Sequence, residues 1–327
     1  MSERLRSRPA SEAPRTNGPP QSTRLPDRRT RIADGGGPRF RGGASLDVIL
    51  ARIHALPVLS PAAVRVLEMA DRECSSAREI VAAITSDVRF SWRILKAANA
   101  SCYSLPRVVA TVSEAVLMLG TEAFRDVVVV AAVRDLLMRD LPGYGLSARE
   151  MWAHSLACGT AAEIVAGITG YSNPTEAFIA GVLHDAGKVV LDEEMQDAAP
   201  YVHNLMDRDN CTFLEAERMT LGIEHCDVGG RILRHWGIPQ HIVQAVALHH
   251  KPVVNRQTVP LAGYVHLGEV LCSMAGIGLG HEGLGIALET QVLTDFKLSE
   301  ASLDVVISRL VDALAASAAL LALPACA

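Results

Sequence analysis

From Ser45 onward the apolar positions recur with the three-to-four spacing of helices, with almost none of the alternation that marks a strand. Leu46, Ile49, Leu50 and Ile53 make the first stripe, closed by Leu56-Pro57. Ser60-Pro61 reads as an N-cap with proline at the first helical position, opening a helix to about Asp71. Ser76-x-x-Glu79 and Thr111-x-x-Glu114 have capping-box spacing, in which hydroxyl and carboxylate each satisfy a free N–H at a helix start. Between them, Val88–Ala100 is predicted to bury Phe90, Ile94 and Leu95. The next helices run from Thr111 to Gly120 and from Thr121 to about Met138. Val127–Val130 also suits a strand, but the flanking Ala, Leu and Arg and the length of the run favour a buried helix.

Leu141-Pro-Gly-Tyr-Gly145 is the clearest break in the folded part. Beyond it, Ser147-x-x-Glu150 caps a helix to Gly170, Pro174 opens one ending at His184, and Thr212-x-x-Glu215 caps one ending near Gly222. Helices follow at about Cys226–Trp236, Pro239–His250 and Leu261–Ala275. Residues 276–297 are Gly-rich and irregular at first, and a last helix is predicted at about Ser302–Leu321. There is no internal repeat and no convincing strand, so the body is predicted to be all-α. Its two parts, 45–143 and 144–275, are each too small and alanine-rich to bury a sufficient core alone, and are expected to share one interface. Residues 276–327 are expected to pack on the second part.

Composition adds an address. The chain is 49% apolar and only 4% aromatic, so Ala, Leu and Val must make the core. Residues 1–44 hold ten arginines against Glu3, Glu12, Asp27 and Asp34, a surplus of six positive charges; with −5 for the whole chain, the rest carries −11. Rich in Arg, Pro, Gly and Ser and without periodic apolar positions, this arm is predicted to be disordered. An acidic body argues against a nucleic-acid surface there. Seven scattered cysteines without a C-x-x-C pair exclude a zinc ribbon or disulfide framework and suit a reducing cytoplasm. Neither Val127–Val133 nor Ala313–Pro324 is long enough to span a bilayer.

The candidate chemistry centres on Leu183-His184-Asp185-Ala-Gly187-Lys188, at the end of an apolar helix. Neighbouring side chains in mid-helix point about 100° apart, but in a last turn broken by Gly187 both could lean toward one point. Imidazole and carboxylate together suit a divalent metal, although for the doublet alone the plainer reading is that His184 caps carbonyls at the helix end. His154, His225, His249 and His250 recur inside or at the ends of other predicted helices, Glu269 offers a later carboxylate, and Lys188 an ammonium for a phosphate. Glu150, one turn before His154, serves equally well as the capping partner of Ser147. Cys226 beside His225 reads as a buried structural thiol.

These residues, with Leu56–Pro61, Ile84–Asp87, Ile94–Asn99, Ala115–Gly120, Trp152–Ser155, Ala177–Asp185, Glu224-His225, Trp236–Pro239 and Leu248–Pro252, resemble the HDOD (HD-related output domain) family over about 45–275. That family is similar to the HD-GYP phosphodiesterases. The resemblance implies a multi-helix HD-type bundle with metal ligands at His154, His184, Asp185, His225, His249 and His250, and an active-site lysine at Lys188. Two features depart from the HD-GYP pattern. Gly268-Glu269 stands where an Ala-Asp pair is usual, and the Gly-Tyr-Pro loop is replaced by His250-Lys-Pro-Val-Val-Asn-Arg-Gln. HDOD domains are regarded mainly as regulators. The expectation is a cytoplasmic signalling module that binds signalling proteins, a nucleotide or another small ligand without turnover, with or without a divalent metal (Fe, Mn, Mg or Zn). The alternative is a metal-dependent phosphohydrolase in which Lys188 is catalytic and Glu269 completes the ligands. Nucleic-acid binding by the arginine arm has only charge behind it.

The arm offers little apolar surface to offset its ordering entropy. Deleting residues 1–44 should leave the Tm in thermal denaturation nearly unchanged; a fall of several degrees would show that the arm packs on the body.

Overall fold

Helix begins at Leu46, where the apolar period begins. The computed structural model describes residues 46–316 apart from 57–58, 60, 71–76, 100–104 and 284. The arm, the Ser60 and Ser76 caps and positions 317–321 of the last predicted helix lie outside the described residues.

The first part holds α1 (Leu46–Ala55), α2 (Pro61–Ala70), α3 (Ala77–Thr85), α4 (Val88–Ala98), α5 (Val112–Leu119) and α6 (Thr121–Leu137). Asp87 caps α4, its carboxylate accepting the Phe90 N–H at 3.0 Å. Thr111 caps α5 in the same way at 3.1 Å, but Glu114 reaches the N–H of Ala110 instead of Thr111, so the box is offset by one residue. The valine run is helix, and all four valines are buried. Apolar on nearly every side, α6 packs against α2, α4, α7, α8 and α9, and so joins the two parts of the body.

After a 3-10 turn at Pro142–Tyr144, α7 (Ala148–Ile168) opens with the predicted capping box: Ser147 Oγ accepts the Glu150 N–H and Glu150 Oε2 accepts the Ser147 N–H. It packs against α8 (Pro174–Leu183), α13 (Pro260–Met274) and α15 (Glu300–Ala316). Between them come α9 (Ala186–Asp209), α10 (Phe213–Leu221), α11 (His225–His235) and α12 (Gln240–Leu248). A hairpin of β1 (Val253–Val254) and β2 (Gln257–Thr258) follows, then α14 (Thr290–Phe296) after α13. Its turn residues Asn255 and Arg256 both have positive φ. No helix among the described residues is long and apolar enough to cross a membrane.

The sequence pattern missed α9, the longest helix at 24 residues, as well as α14 and the hairpin. Val190, Leu191, Met195, Ala198, Val202 and Leu205 do recur at helical spacing and are buried, but Asp192, Glu193, Glu194, Asp197 and Pro200 obscure the stripe. Gly187 is also corrected. It does not break a helix; α8 stops at Leu183, the chain turns at His184-Asp185, and Gly187 sits in the first turn of α9. Its work is steric. A Cβ there would lie 1.9 Å from the His225 carbonyl oxygen, so α9 and α11 touch backbone to backbone.

Because the obstructing atom is backbone, Gly187→Ala must push α11 away. The expected cost is about 3 kcal/mol or more, a fall in Tm of roughly 6–12 °C in thermal denaturation.

Candidate metal centre

Four histidines reach one volume, each held through its Nδ1. His184 and His249 follow directly on α8 and α12, and each Nδ1–H donates to a carbonyl three residues back, Gly181 at 2.7 Å and Val246 at 2.6 Å. These carbonyls lack helical partners at a helix end, so capping and orientation are one act. His154, on α7, donates from Nδ1 to the Ile277 carbonyl at 3.0 Å, and His225, opening α11, to Glu217 Oε2 at 2.9 Å. Carbonyls and carboxylates only accept, which places the Nδ1 proton and leaves each Nε2 lone pair facing inward in the neutral ring. His154 Nε2 and His184 Nε2 stand 3.2 Å apart. Two lone pairs at that distance require a positive charge between or beside them, a proton or a cation. His250 Nε2 is likewise 3.2 Å from His225 Nε2.

The carboxylates fill the space between. Asp185 is wholly buried; its Oδ2 lies 2.8 Å from Lys188 Nζ, 3.2 Å from His184 Nε2 and 3.6 Å from His154 Nε2. Oδ1 lies 3.5 Å from His225 Nε2 without a hydrogen bond. Glu269, on α13, is also wholly buried and neither oxygen accepts a hydrogen bond; His250 Nε2 is 3.4 Å away and His249 Nε2 3.9 Å. His249 Nε2 has no hydrogen-bond partner. Thus all seven candidate ligands come together, with Lys188 beside them. Groups of donor atoms within 4.8 Å of one another include His154, His184 and Glu269, and His184, Asp185 and His249. Inward lone pairs and orphaned buried oxygens are the donor set that a divalent cation would satisfy, so these residues fit a metal.

Titration follows from this crowding. Burial pushes His154 down to about 4, with His184 adding to the shift, and burial holds His249 and His250 well below the ordinary histidine value. Burial would lower His184 too, but Asp185 outweighs it and raises that ring well above the usual value. Burial opposes ionisation of Asp185, yet His184 and Lys188 hold it well below the carboxylate range. Glu269, with less to offset its burial, is pushed up to about 8. Burial also drives the Cys226 thiol up to about 11, which leaves it inert at neutral pH.

A match to known proteins fits this assembly. Residues 56–252 match the HDOD domain. The chain belongs to the HDOD family. Solved structures share its fold. An HDOD domain protein with unknown function from Geobacter sulfurreducens is 23% identical with a TM-score of 0.66, the match covering 84% of this chain and 98% of that one. A candidate signal transduction protein from Marinobacter aquaeolei gives 21% and 0.69, covering 87% and 64%. A candidate phosphohydrolase from Shewanella amazonensis gives 20% and 0.61, covering 83% and 97%. No curated protein matches.

Within this HDOD body, sequence reasoning overlooked three site residues. Glu217 joins the His225 backbone N–H (2.8 Å) and ring to the Tyr144 hydroxyl, which donates to Oε1 at 2.5 Å. A signal was present: Glu217 follows Phe213 and Leu214 at helical spacing, an acid on the buried face of α10. Tyr144 lies in the predicted break, and its ring faces Lys188 Nζ at 5.6 Å. Glu282, in the Gly-rich segment, meets Lys188 Nζ at 2.8 Å, a charge contact without hydrogen-bond geometry. No periodic pattern marks it. Glu150 serves in the capping box and not at the centre.

In the metal-free protein Glu269 and His154 pull stability in opposite directions as pH changes. Glu269, with a folded pKa near 8 against 4.5, binds more protons folded than unfolded, so stability falls as pH rises through that window. His154, near 4 against 6.5, is opposite in sign: stability falls as pH drops from 6.5 toward 4. In chelator-treated protein, Glu269→Gln should lessen the fall in Tm between about pH 6 and pH 9 by a few degrees, and steepen the fall below about pH 6.5, where Glu269 and His154 offset one another in wild type. A parallel drop in both proteins would contradict the burial cost assigned to Glu269.

Proposed function

We propose that this HDOD protein is a non-catalytic signalling module that holds a divalent metal among His154, His184, Asp185, His225, His249, His250 and Glu269. The metal stiffens the helix ends that carry these residues, and the surface above them binds a partner protein or a small ligand. The observation that carries the absence of turnover is the position of Lys188. Its ammonium is nearly buried and lies 2.8 Å from both Asp185 Oδ2 and Glu282 Oε1. It is already neutralised, and Glu282, which also lines the cleft, adds a negative charge that disfavours an anionic phosphate there.

Size supports the same reading. The cleft over the centre, lined by Phe213, His250, Lys251, Glu282 and Ile286 among others, holds about 160 Å³. Small-molecule sites usually hold roughly 300 Å³ or more, so a cyclic dinucleotide is not accommodated without movement of the wall. The described cysteines are all free thiols, which agrees with a reducing cytoplasm. The second reading, a metal-dependent phosphohydrolase, is favoured by the full ligand set and by His250 reaching that cleft. In such an enzyme a bound divalent cation would polarise a phosphoryl oxygen and acidify a water. Lys188 would have to leave Glu282 to touch substrate.

Metal analysis of the purified full chain should find a first-row divalent metal. His184→Ala and Asp185→Ala should each remove most of it while the protein still melts cooperatively, and wild type should not hydrolyse bis(p-nitrophenyl) phosphate or cyclic dinucleotides above background. Metal-dependent hydrolysis that disappears in Asp185→Ala would replace the regulatory reading with the enzymatic one. A metal-free wild type would remove the metal from both.

A further inference from the structure

We infer that the outer face of α4 is a docking site for an acidic amphipathic helix of another protein. This face is separate from the metal centre: α4 packs against α3, α5 and α6, and none of these four helices carries a residue of the centre. Val88, Trp92, Lys96 and Asn99 recur at steps of four, four and three residues, so they share one side of the helix. The opposite side is core, with Phe90 and Ile94 buried.

Two properties mark the face. The first is exposed apolar surface. Val88 is 81% and Trp92 54% exposed, whereas Trp152 and Trp236 are buried. At the end of α4 the Asn99 side chain accepts the Val109 N–H at 2.8 Å and donates to the Val109 carbonyl at 2.9 Å. Val109 is thereby turned inward, and Val108, 77% exposed, extends the strip. Single exposed apolar side chains are ordinary, but a tryptophan between two valines has the composition of an interface anchor. The second property is charge. Residues 45–327 carry −11, yet α4 holds Arg89, Arg93 and Lys96 and no acid. Arg93 is paired with Asp135 at 3.1 Å, but no acid among the described residues pairs with Arg89 or Lys96. Lys96 Nζ instead lies 5.0 Å over the Trp92 ring, which steadies the indole and holds an ammonium beside it.

Charge and shape together select the occupant. The basic arm at 1–44 is repelled by Arg89 and Lys96. A two-fold contact between copies of this chain would set those same cations against each other. Single-stranded nucleic acid is gripped by several aromatic platforms in succession, and this face has one. The elements packed on α4 are helices, so no sheet edge is offered to an extended peptide. A helix laid along α4, about 16 Å of it, can meet Val88, Trp92 and Val108 with apolar residues spaced one turn apart. Carboxylates flanking that apolar stripe then fall on Arg89 and Lys96.

The probe is a fluorescein-labelled synthetic helix of about 18 residues, Leu on one face and Glu on the other, beside a twin with Lys in place of Glu. Each is titrated into the full chain and followed by anisotropy and by tryptophan emission. The Glu peptide should bind, shift the Trp92 emission to the blue, and weaken as salt is added. Trp92→Ala should lower its affinity about tenfold or more, and the double variant Arg89→Glu/Lys96→Glu should prefer the Lys peptide. Trp92 and Arg89 are exposed, so the variants should melt as wild type does. No binding, equal binding of the two peptides, or binding that Trp92→Ala leaves unchanged would overturn the docking site. So would displacement of the Glu peptide by single-stranded RNA, which would assign the face to nucleic acid, or self-association that Trp92→Ala abolishes, which would assign it to a second copy. The metal content of the chain is unaffected by any of these results, so the centre stands or falls separately.

Discussion

A carboxylate with no exposed surface, in a body made largely of Ala, Leu and Val, constrains everything around it. An unpaired charge in such a place costs several kcal/mol, so Asp185 is sustainable only if cationic or donor groups surround it. Lys188, one turn later on α9, supplies an ammonium; His184 supplies a ring from the preceding residue; His154 and His225 approach from α7 and α11. The turn between α8 and α9, the missing side chain at Gly187 and the depth of α11 are all needed to bring those groups within 4 Å. Loosening any of them exposes the carboxylate or leaves it alone.

The histidines also act as structural caps. His184 and His249 end their helices by donating inward to carbonyls left free there, and the same bond turns Nε2 toward the centre. Helix termination and ligand orientation are thus a single piece of geometry, which explains how a metal-ready site arises without a dedicated loop. His225 is held at the opposite kind of helix end, its backbone and ring both bound to Glu217, and Glu217 is in turn held by Tyr144. An outer ring of acceptors holds the inner ring of lone pairs.

The Gly-rich segment then becomes intelligible. It offers Ile277 as acceptor for His154, passes over α7 where no side chain would fit, and places Glu282 against Lys188. A segment without helical pattern forms one wall of the centre and determines how open it is. The HDOD match ends at residue 252, before this wall begins.

Helical periodicity and capping spacing were enough to place α7, α8, α10 to α13 and the buried valine helix α6, because a helix end is a local transaction among residues three or four apart. The His-Asp doublet and the spaced histidines were legible as candidate ligands for the same reason: their chemistry is carried by residue type. The helix α9 was not legible, since four acids and Pro200 hide its apolar stripe until its partners α10 and α11 show which face is buried. Nor were Glu217 and Glu282, whose roles depend on residues eight and ninety-four positions away. Sequence by itself determined most of the helical segments and which side chains carry donor atoms. Tertiary structure alone decided that those donors meet, because convergence depends on how closely two helices approach, and at Gly187 that distance is set by backbone against backbone.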